Sequence, residues 1–194
     1  METTIKTVLG THNTMTYLRP AHWYGWLMIP FARCQHKPLF EQWKRGARCF
    51  DLRVRFDRRG KAVFAHGLYE CSHREDPHET IRRLAALARE SGETAYVRLV
   101  LEDPKRQAHN EYYFRMFCRF VNLFPQLLPF QGNRKGDWAQ IVEFPFKPEL
   151  QQYVGSMMAD ARWWEKIMPF TYALRRNRRN RQNPPGCIAI YDFL

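Results

Sequence analysis

Apolar and polar residues along this chain alternate in runs that switch between period two and period 3.6. Residues 5–9 (Ile-Lys-Thr-Val-Leu) predict a buried strand stopped by Gly10, which puts His12 just past its C-terminal end. Residues 15–36 are aromatic and irregular, with Pro20 and Pro30 as breakers. Residues 38–45 predict a short helix with Pro38 in its first turn, Gly46 as its stop, and Leu39, Phe40 and Trp43 as its apolar stripe. The clearest alternation covers residues 47–56. Cys49, Asp51, Arg53 and Arg55 fall on one side; Phe50, Leu52, Val54 and Phe56 fall on the other. The apolar side can pack against helices, which leaves Asp51 and Arg53 together on the opposite face. That face is either a site or a solvated strand surface. The next run, residues 62–65, favours a site because it delivers His66. The turn-like Asp57-Arg58-Arg59-Gly60 makes the two strands a hairpin or near neighbours.

Farther along, Asp76, Pro77 and Glu79 have the spacing of a helix start, and Gly92 is its stop. Ile81, Leu84, Ala85, Leu87 and Ala88 form its apolar side. Residues 95–101 predict a buried strand leading to Glu102, residues 109–124 a helix ended by Pro125, and residues 126–130 a short strand. A strand over 141–146, a helix over 160–173 interrupted at Pro169, and a strand over 187–192 carrying Asp192 complete the pattern. No repeat or flexible linker divides the chain, so one domain over residues 1–194 is expected. Strands alternating with helices predict an α/β fold. Chemically capable residues at the C-terminal ends of several strands follow the rule for (β/α) barrels. At 194 residues the chain is short for one, so the expected form is a distorted or trimmed TIM-type barrel.

Composition narrows the function. With 45% hydrophobic and 15% aromatic residues, the chain can bury a sizeable core. It shows no spanning apolar run and no secretory leader pattern, so a cytoplasmic location is the default expectation. Its five cysteines form no CxxC pair, which argues against a disulfide framework or a Cys-based zinc site and for small buried side chains. The net charge of +12 favours a polyanionic partner: a phosphorylated substrate, an anionic membrane surface or nucleic acid. The densest basic run, residues 175–181, is either a solvated loop or an anion-binding segment. Trp163 and Trp164 could touch a membrane interface, but core packing is the expectation for both.

Cleaving a phosphodiester without a metal needs a base, an acid and a fixed cation for the charge that develops on the phosphoryl oxygens. Histidine titrates near neutrality and suits the first two roles. The arginine fork binds two phosphate oxygens and stays charged. His12, His66 and Arg53 supply this set, and Asp51 and Asp192 are the candidate carboxylates to orient it.

The segments Gly10-Thr11-His12-Asn13-Thr14, Glu41-Gln42, Gly46-Ala47-Arg48-Cys49-Phe50-Asp51-Leu52-Arg53 and Ala65-His66-Gly67 resemble the catalytic X region of phosphatidylinositol-specific phospholipases C. Residues 97–102 resemble that family's next strand and residues 190–193 its last, while residues 105–186 match only loosely. The resemblance implies a distorted TIM-type barrel. It implies His12 as general base, His66 as general acid and Arg53 as stabiliser of the transition state. It further implies that Asp51 orients Arg53 or His66, and that Asp192 pairs with His12. In that family the inositol 2-hydroxyl attacks phosphorus, giving a cyclic inositol phosphate and diacylglycerol. Asn13 and Glu102 stand where the calcium-dependent eukaryotic members keep their own Asn and a calcium-binding carboxylate. Arg53 stands where those members carry an acidic residue. A guanidinium there would repel calcium, so no cofactor is expected, with calcium as the alternative.

Asn13, Glu102 and Lys147 are the candidate substrate-binding residues; Arg98 and Tyr153 could line the same headgroup pocket. The expected partner is a phospholipid or a soluble phosphodiester, with peripheral contact to an anionic membrane; nucleic acid is less favoured. His22, His36, His73, His78 and His109 lack a strand-end context and are expected on the surface or in packing. A non-catalytic basic module holding phosphorylated lipid or nucleic acid is the other function class. A glycerophosphodiester phosphodiesterase would need a different early His-Arg motif and a metal-binding acidic set, neither of which is present.

Overall fold

The computed structural model describes residues 8–102, 108–131, 152–155, 162–167, 169–179 and 187–194. The chain order is β1 (Val8–Thr11), α1 (Gly25–Ala32), α2 (Leu39–Lys44), β2 (Cys49–Phe56), β3 (Ala62–His66), β4 (Tyr69–Glu70), α3 (Pro77–Ser91) and β5 (Ala95–Leu101). There follow α4 (Ala108–Val121), β6 (Leu127–Gln131), β7 (Gln152–Gly155), α5 (Trp163–Ile167), α6 (Pro169–Arg179) and β8 (Cys187–Tyr191).

Strands β6, β5, β2, β1, β8 and β7 lie side by side, each parallel to its neighbours. β3 joins antiparallel to β2 and carries β4 on its own edge, so the expected hairpin is present. The fold is α/β. Among the described residues, however, the sheet is open, with β6 and β7 at its edges, and closure into a barrel is not seen.

Strand β2 is the hinge of the site. One of its edges pairs with β5 over Cys49–Val54. The other edge is shared. β1 faces Cys49 and Phe50, and β3 faces Val54, Arg55 and Phe56. β1 runs parallel to β2 and β3 runs against it, so their ends approach Asp51–Arg53 from opposite directions. His12, just past β1, and His66, the end of β3, meet there.

Phe50, Leu52 and Val54 of β2 are fully buried against the helical layer, with Ile81 and Leu84 of α3 and Phe117 and Val121 of α4 in the same cluster. Each such side chain contributes about 1.5–3 kcal/mol by leaving water. α3 starts where the sequence predicts: the Asp76 carboxylate accepts from Glu79 N at 2.9 Å. It ends at Gly92, which takes a left-handed φ of +66°. In α2, Leu39 and Trp43 are buried as expected, but Phe40 is exposed. Gly10 lets β1 pass between its neighbours: a Cβ there would lie 2.9 Å from Ile190 Cγ1 and 3.0 Å from Cys49 Cβ.

Several expectations are corrected. The 15–36 segment is not irregular throughout, because Gly25–Ala32 is helical with Pro30 inside it. α1 is apolar all round and shows no 3.6-residue stripe, so periodicity misses it. The basic run does not begin as a loop: α6 carries it as helix through Arg179. Trp163 and Trp164 are not core residues, Trp163 being 76% exposed. α5 turns Glu165 inward instead, where Arg175 Nε and Nη2 grip it at 2.6 and 2.7 Å. β7 has no counterpart in the sequence reading. The strand expected over 141–146 lies outside the described residues. No described helix is long and apolar enough to cross a membrane.

Candidate active site

The parallel register of β1 and β8 sets Thr11 opposite Tyr191, so the next residues, His12 and Asp192, leave the sheet together. Asp192 Oδ1 lies 2.7 Å from His12 Nδ1. On the other side of the ring, Arg53 Nη2 stands 2.7 Å from Nε2 and Asn13 Nδ2 stands 3.2 Å away. A guanidinium can only donate, so Nε2 holds the lone pair and Nδ1 the proton, which it donates to Asp192. Gln35, fully buried, fixes the backbone of this corner. Its Nε2 donates to the carbonyls of His12 and Tyr191 at 3.1 and 2.8 Å, and its Oε1 accepts from Leu194 N.

Asp51 is fully buried and heavily solvated by protein donors. Oδ2 accepts from Asn13 N at 3.0 Å and from Arg53 Nε and Nη2, each at 3.1 Å. Oδ1 accepts from Arg98 Nη1 at 2.8 Å. Burial alone would raise its titration, but Arg53 and Arg98, then His12 and the Asn13 amide, outweigh that and hold the carboxyl well below the usual range. Arg53 is opposed by burial in the same way. Asp51 and Glu102 reverse that effect and push it above the ordinary arginine value, so it is a fixed cation.

Glu102 closes the ring of contacts. Oε1 accepts from Arg53 Nη1 and Oε2 from Gly67 N, both at 3.1 Å. It therefore joins Arg53 to the turn that carries His66. His66 donates from Nδ1 to the Ala32 carbonyl at 2.8 Å, at the end of α1. Burial first, then Arg53 and His12, lower its titration to about 4, against opposing contributions from the Ala32 carbonyl and Glu102. The two histidine rings stand edge to face, 6.2 Å apart. Arg55, next along the same face of β2, donates to the Gly67 carbonyl and so helps hold the turn.

Among the described residues, two non-glycine residues take left-handed backbone, Asn13 (φ +44°) and Phe193 (φ +54°). Each directly follows a site residue, His12 or Asp192. Such backbone costs of order 1 kcal/mol or more and gathers where geometry is over-determined.

The structure thus brings His12, Asn13, Asp51, Arg53, His66, Glu102 and Asp192 together. Lys147 lies outside the described residues, and the Tyr153 side chain is not described. Arg98 is anchored on Asp51. Sequence reasoning missed Gln35 and Cys34, because the segment that holds them shows no periodicity. The Ala32 carbonyl, a backbone group, has no sequence signal.

Neither family models nor curated protein sequences match this chain. Solved structures do. The phosphatidylinositol-specific phospholipase C of Listeria monocytogenes matches with a TM-score of 0.63 at 16% identity, over 98% of this chain and 89% of its own. A pentafluoro-phenylalanine form of the Staphylococcus aureus enzyme gives 0.64 at 14% identity, over 98% and 87%. Another S. aureus structure, concerned with modulation of membrane binding, gives 0.55 at 14% identity, over 96% and 71%. The chain is a structural relative of these phospholipases and shares their fold.

Proposed function

We propose that this chain, built on the fold of the bacterial phosphatidylinositol-specific phospholipases C, is a phosphodiesterase that cleaves an inositol phospholipid or a related headgroup diester. On this reading its sheet is a trimmed barrel of that type. The observation that carries the proposal is the meeting of His12, Arg53 and His66 over β2, with Asp192 holding His12 in one tautomer.

His12 Nε2 takes the proton of the attacking hydroxyl as its oxygen bonds to phosphorus. The bond from phosphorus to the leaving oxygen breaks, and His66 Nε2 gives that oxygen a proton. Arg53 Nη2, which caps His12 Nε2 in the free site, turns to the phosphoryl oxygens when substrate enters and uncovers the base. The guanidinium is planar and rigid, so this movement carries Nε and Nη1 with it and loosens their contacts with Asp51 and Glu102. His66 needs an added proton to act as acid. Three carboxylates (Asp51, Glu102, Asp192) face two guanidiniums (Arg53, Arg98) in the buried cluster, and a bound phosphodiester adds a further negative charge. That charge favours the imidazolium. With an inositol lipid, the resemblance implies the 2-hydroxyl as nucleophile and a cyclic phosphate as product.

The lipid surface has a seat. α1 ends at Ala32, whose carbonyl holds His66, and it exposes Trp26, Leu27 and Phe31, with Trp23 just before it. Leu68, beside the His66 turn, is exposed too. An apolar patch with aromatic rings at the mouth of a site suits insertion among headgroups, aided by the chain's positive charge. Metal independence belongs to the same proposal. Arg53 already occupies Asp51 Oδ2 and Glu102 Oε1, the oxygens a calcium ion would need.

The test is ³¹P NMR of phosphatidylinositol vesicles with the protein in excess chelator. Release of a cyclic phosphodiester, lost in both His12→Ala and His66→Ala, is expected. Cleavage of neither vesicles nor soluble diesters, or cleavage undiminished in both variants, would overturn the enzyme in favour of a basic binding module. Loss in chelator restored by calcium would overturn metal independence alone.

A further inference from the structure

Cys34 stands at the back of the His12–Asp192 pair, where the proposed chemistry gives it no task. Its thiol is buried in the polar corner of the site. The Asn13 amide nitrogen lies 3.4 Å from Sγ. Its backbone is tied on both sides: Cys34 N donates to Thr16 Oγ1 at 2.9 Å, and its carbonyl accepts from Phe193 N at 2.7 Å. A ring nitrogen of His12, Cys34 Sγ and a carboxylate oxygen of Asp192 all lie within 4.8 Å of one another, and Nδ1 is the nitrogen that faces Asp192.

We propose that His12, Cys34 and Asp192 form a site for zinc or a similar borderline-to-soft divalent cation, and that filling it switches the site off. An imidazole, a thiolate and a carboxylate are a zinc donor set, whereas calcium and magnesium call for more oxygens and no sulfur. Ligand bonds of about 2.0–2.3 Å put the donors of a tetrahedral site about 3.4 Å apart. The His12–Asp192 contact of 2.7 Å opens slightly to reach that, and Cys34 closes in. Charge is tolerable: the dication enters and one proton leaves the thiol, so the site moves from one net negative charge on Asp192 to neutrality, and Arg53 faces no net cation there.

The consequence follows from the tautomer. A metal on Nδ1 takes the lone pair freed when the ring proton moves to Nε2, and one proton leaves the thiol. His12 Nε2 then carries a proton and cannot accept another. It also faces the Arg53 donor that stood 2.7 Å away, so the metal-bound and competent arrangements exclude each other. A second observation points the same way. Asn13 is buried, and its Oδ1 has no hydrogen-bond partner among the described residues. A half-turn of the amide puts that oxygen where Nδ2 now stands, 3.2 Å from His12 Nε2, as acceptor for the relocated proton. In the metal-bound tautomer the relocated Nε2 proton gives this oxygen a donor.

Inhibition rests on the reading of His12 as base; binding does not. The closing experiment therefore reads them apart. Cobalt(II) added to the chelator-treated protein is expected to give a near-ultraviolet thiolate-to-metal band at one equivalent, bleached by zinc and absent in Cys34→Ser and Cys34→Ala. In parallel, zinc should inhibit diester cleavage reversibly by chelator. In the Cys34 variants, each compared with its own zinc-free rate, about tenfold more zinc should be needed, the effect of losing about 1.4 kcal/mol of binding. No thiolate band in the unmodified protein, which needs no variant to fold, would overturn the site. A band retained in both variants would move it elsewhere and overturn it equally. A band without any cleavage activity would leave the site standing and remove only the enzyme reading.

Discussion

His12 Nδ1 lies 2.7 Å from Asp192 Oδ1, although the two residues are 180 positions apart. The parallel β1–β8 register delivers both, and left-handed backbone at Asn13 and Phe193 turns the chain away directly after each. Asp192 thus fixes which nitrogen of His12 is free. Asp192→Asn can present its amide NH₂ to Nδ1 and select the wrong tautomer. It is expected to lower kcat by about 10²–10⁴ with little change in KM, the range for a mispositioned general base. Steady-state kinetics on a soluble diester check this; a loss confined to KM would contradict it.

On the proposed mechanism, His66 carries the pH dependence of cleavage. Burial, then Arg53 and His12, draw its titration in the free site down to about 4. The protonated fraction needed by a general acid therefore falls as pH rises above that value. The limb of kcat/KM that reports His66 is expected to descend in the acid range. A bound phosphodiester anion favours the imidazolium, so the matching limb of kcat is expected at higher pH. Equal midpoints in the two profiles would count against the assignment. Stability has its own sign. The unfolded chain takes up the His66 proton near the ordinary 6.5 and the folded chain only near 4, so this contribution is present above 6.5 and is lost as pH falls toward 4.

Much of this arrangement was legible in the sequence. The alternation of residues 47–56 sets Asp51 and Arg53 on one face, and the turn at residues 57–60 brings His66 back beside them, because a hairpin is a local device. Strand pattern alone marks Asp192 as a polar residue ending a strand and a candidate carboxylate; its pairing with His12 comes from the family resemblance. That β8 pairs with β1 is a non-local fact with no local signal. The segment around Cys34 and Gln35 was opaque for another reason. It is held by side-chain bonds to backbone, such as Gln35 to Tyr191, rather than by any repeating apolar face. α1 was hidden by being apolar on every side, and closure of the sheet is beyond what strand count and order can say.

Gly10 has no room for a side chain. An added Cβ would meet Ile190 Cγ1 at 2.9 Å and Cys49 Cβ at 3.0 Å, both in buried strands that cannot yield freely. Gly10→Ala is expected to lower unfolding free energy by about 1–3 kcal/mol, the range for overpacking a core. Because β1 would shift against β8, activity should fall more than the small loss of folded protein explains. Denaturant melts paired with kcat measurements test both; a melt unchanged within about 0.5 kcal/mol would refute the packing argument.

The apolar surface of α1 separates lipid from soluble substrates. Trp23→Ala with Trp26→Ala removes two exposed rings at the proposed interface. Sedimentation with anionic vesicles is expected to show at least about tenfold weaker binding, since each ring's insertion is worth more than ~1 kcal/mol. Cleavage of vesicle phosphatidylinositol should fall in step, while the ratio of vesicle to soluble turnover drops. A ratio unaffected by the double substitution would place the lipid contact elsewhere, with the exposed Trp163 next in line.

Arg53 divides charge from geometry. One guanidinium reaches Asp51 through Nε and Nη2, Glu102 through Nη1 and His12 through Nη2, a fork no ammonium can copy. Arg53→Lys keeps both the burial and the neighbouring positive charge that hold His66 down, so the His66 titration, followed by NMR, should stay near 4. Catalysis should not survive as well. The lysine can serve either the carboxylates or the phosphoryl oxygens, and kcat is expected to fall by about 10²–10³, the cost of losing one fixed donor at developing charge. If kcat were kept along with the low His66 titration, a point charge would suffice at this position and the bidentate role assigned to Arg53 would be wrong. If kcat fell and the His66 titration rose together, the variant would have lost its place between Asp51 and Glu102, and the fall could not be credited to the fork.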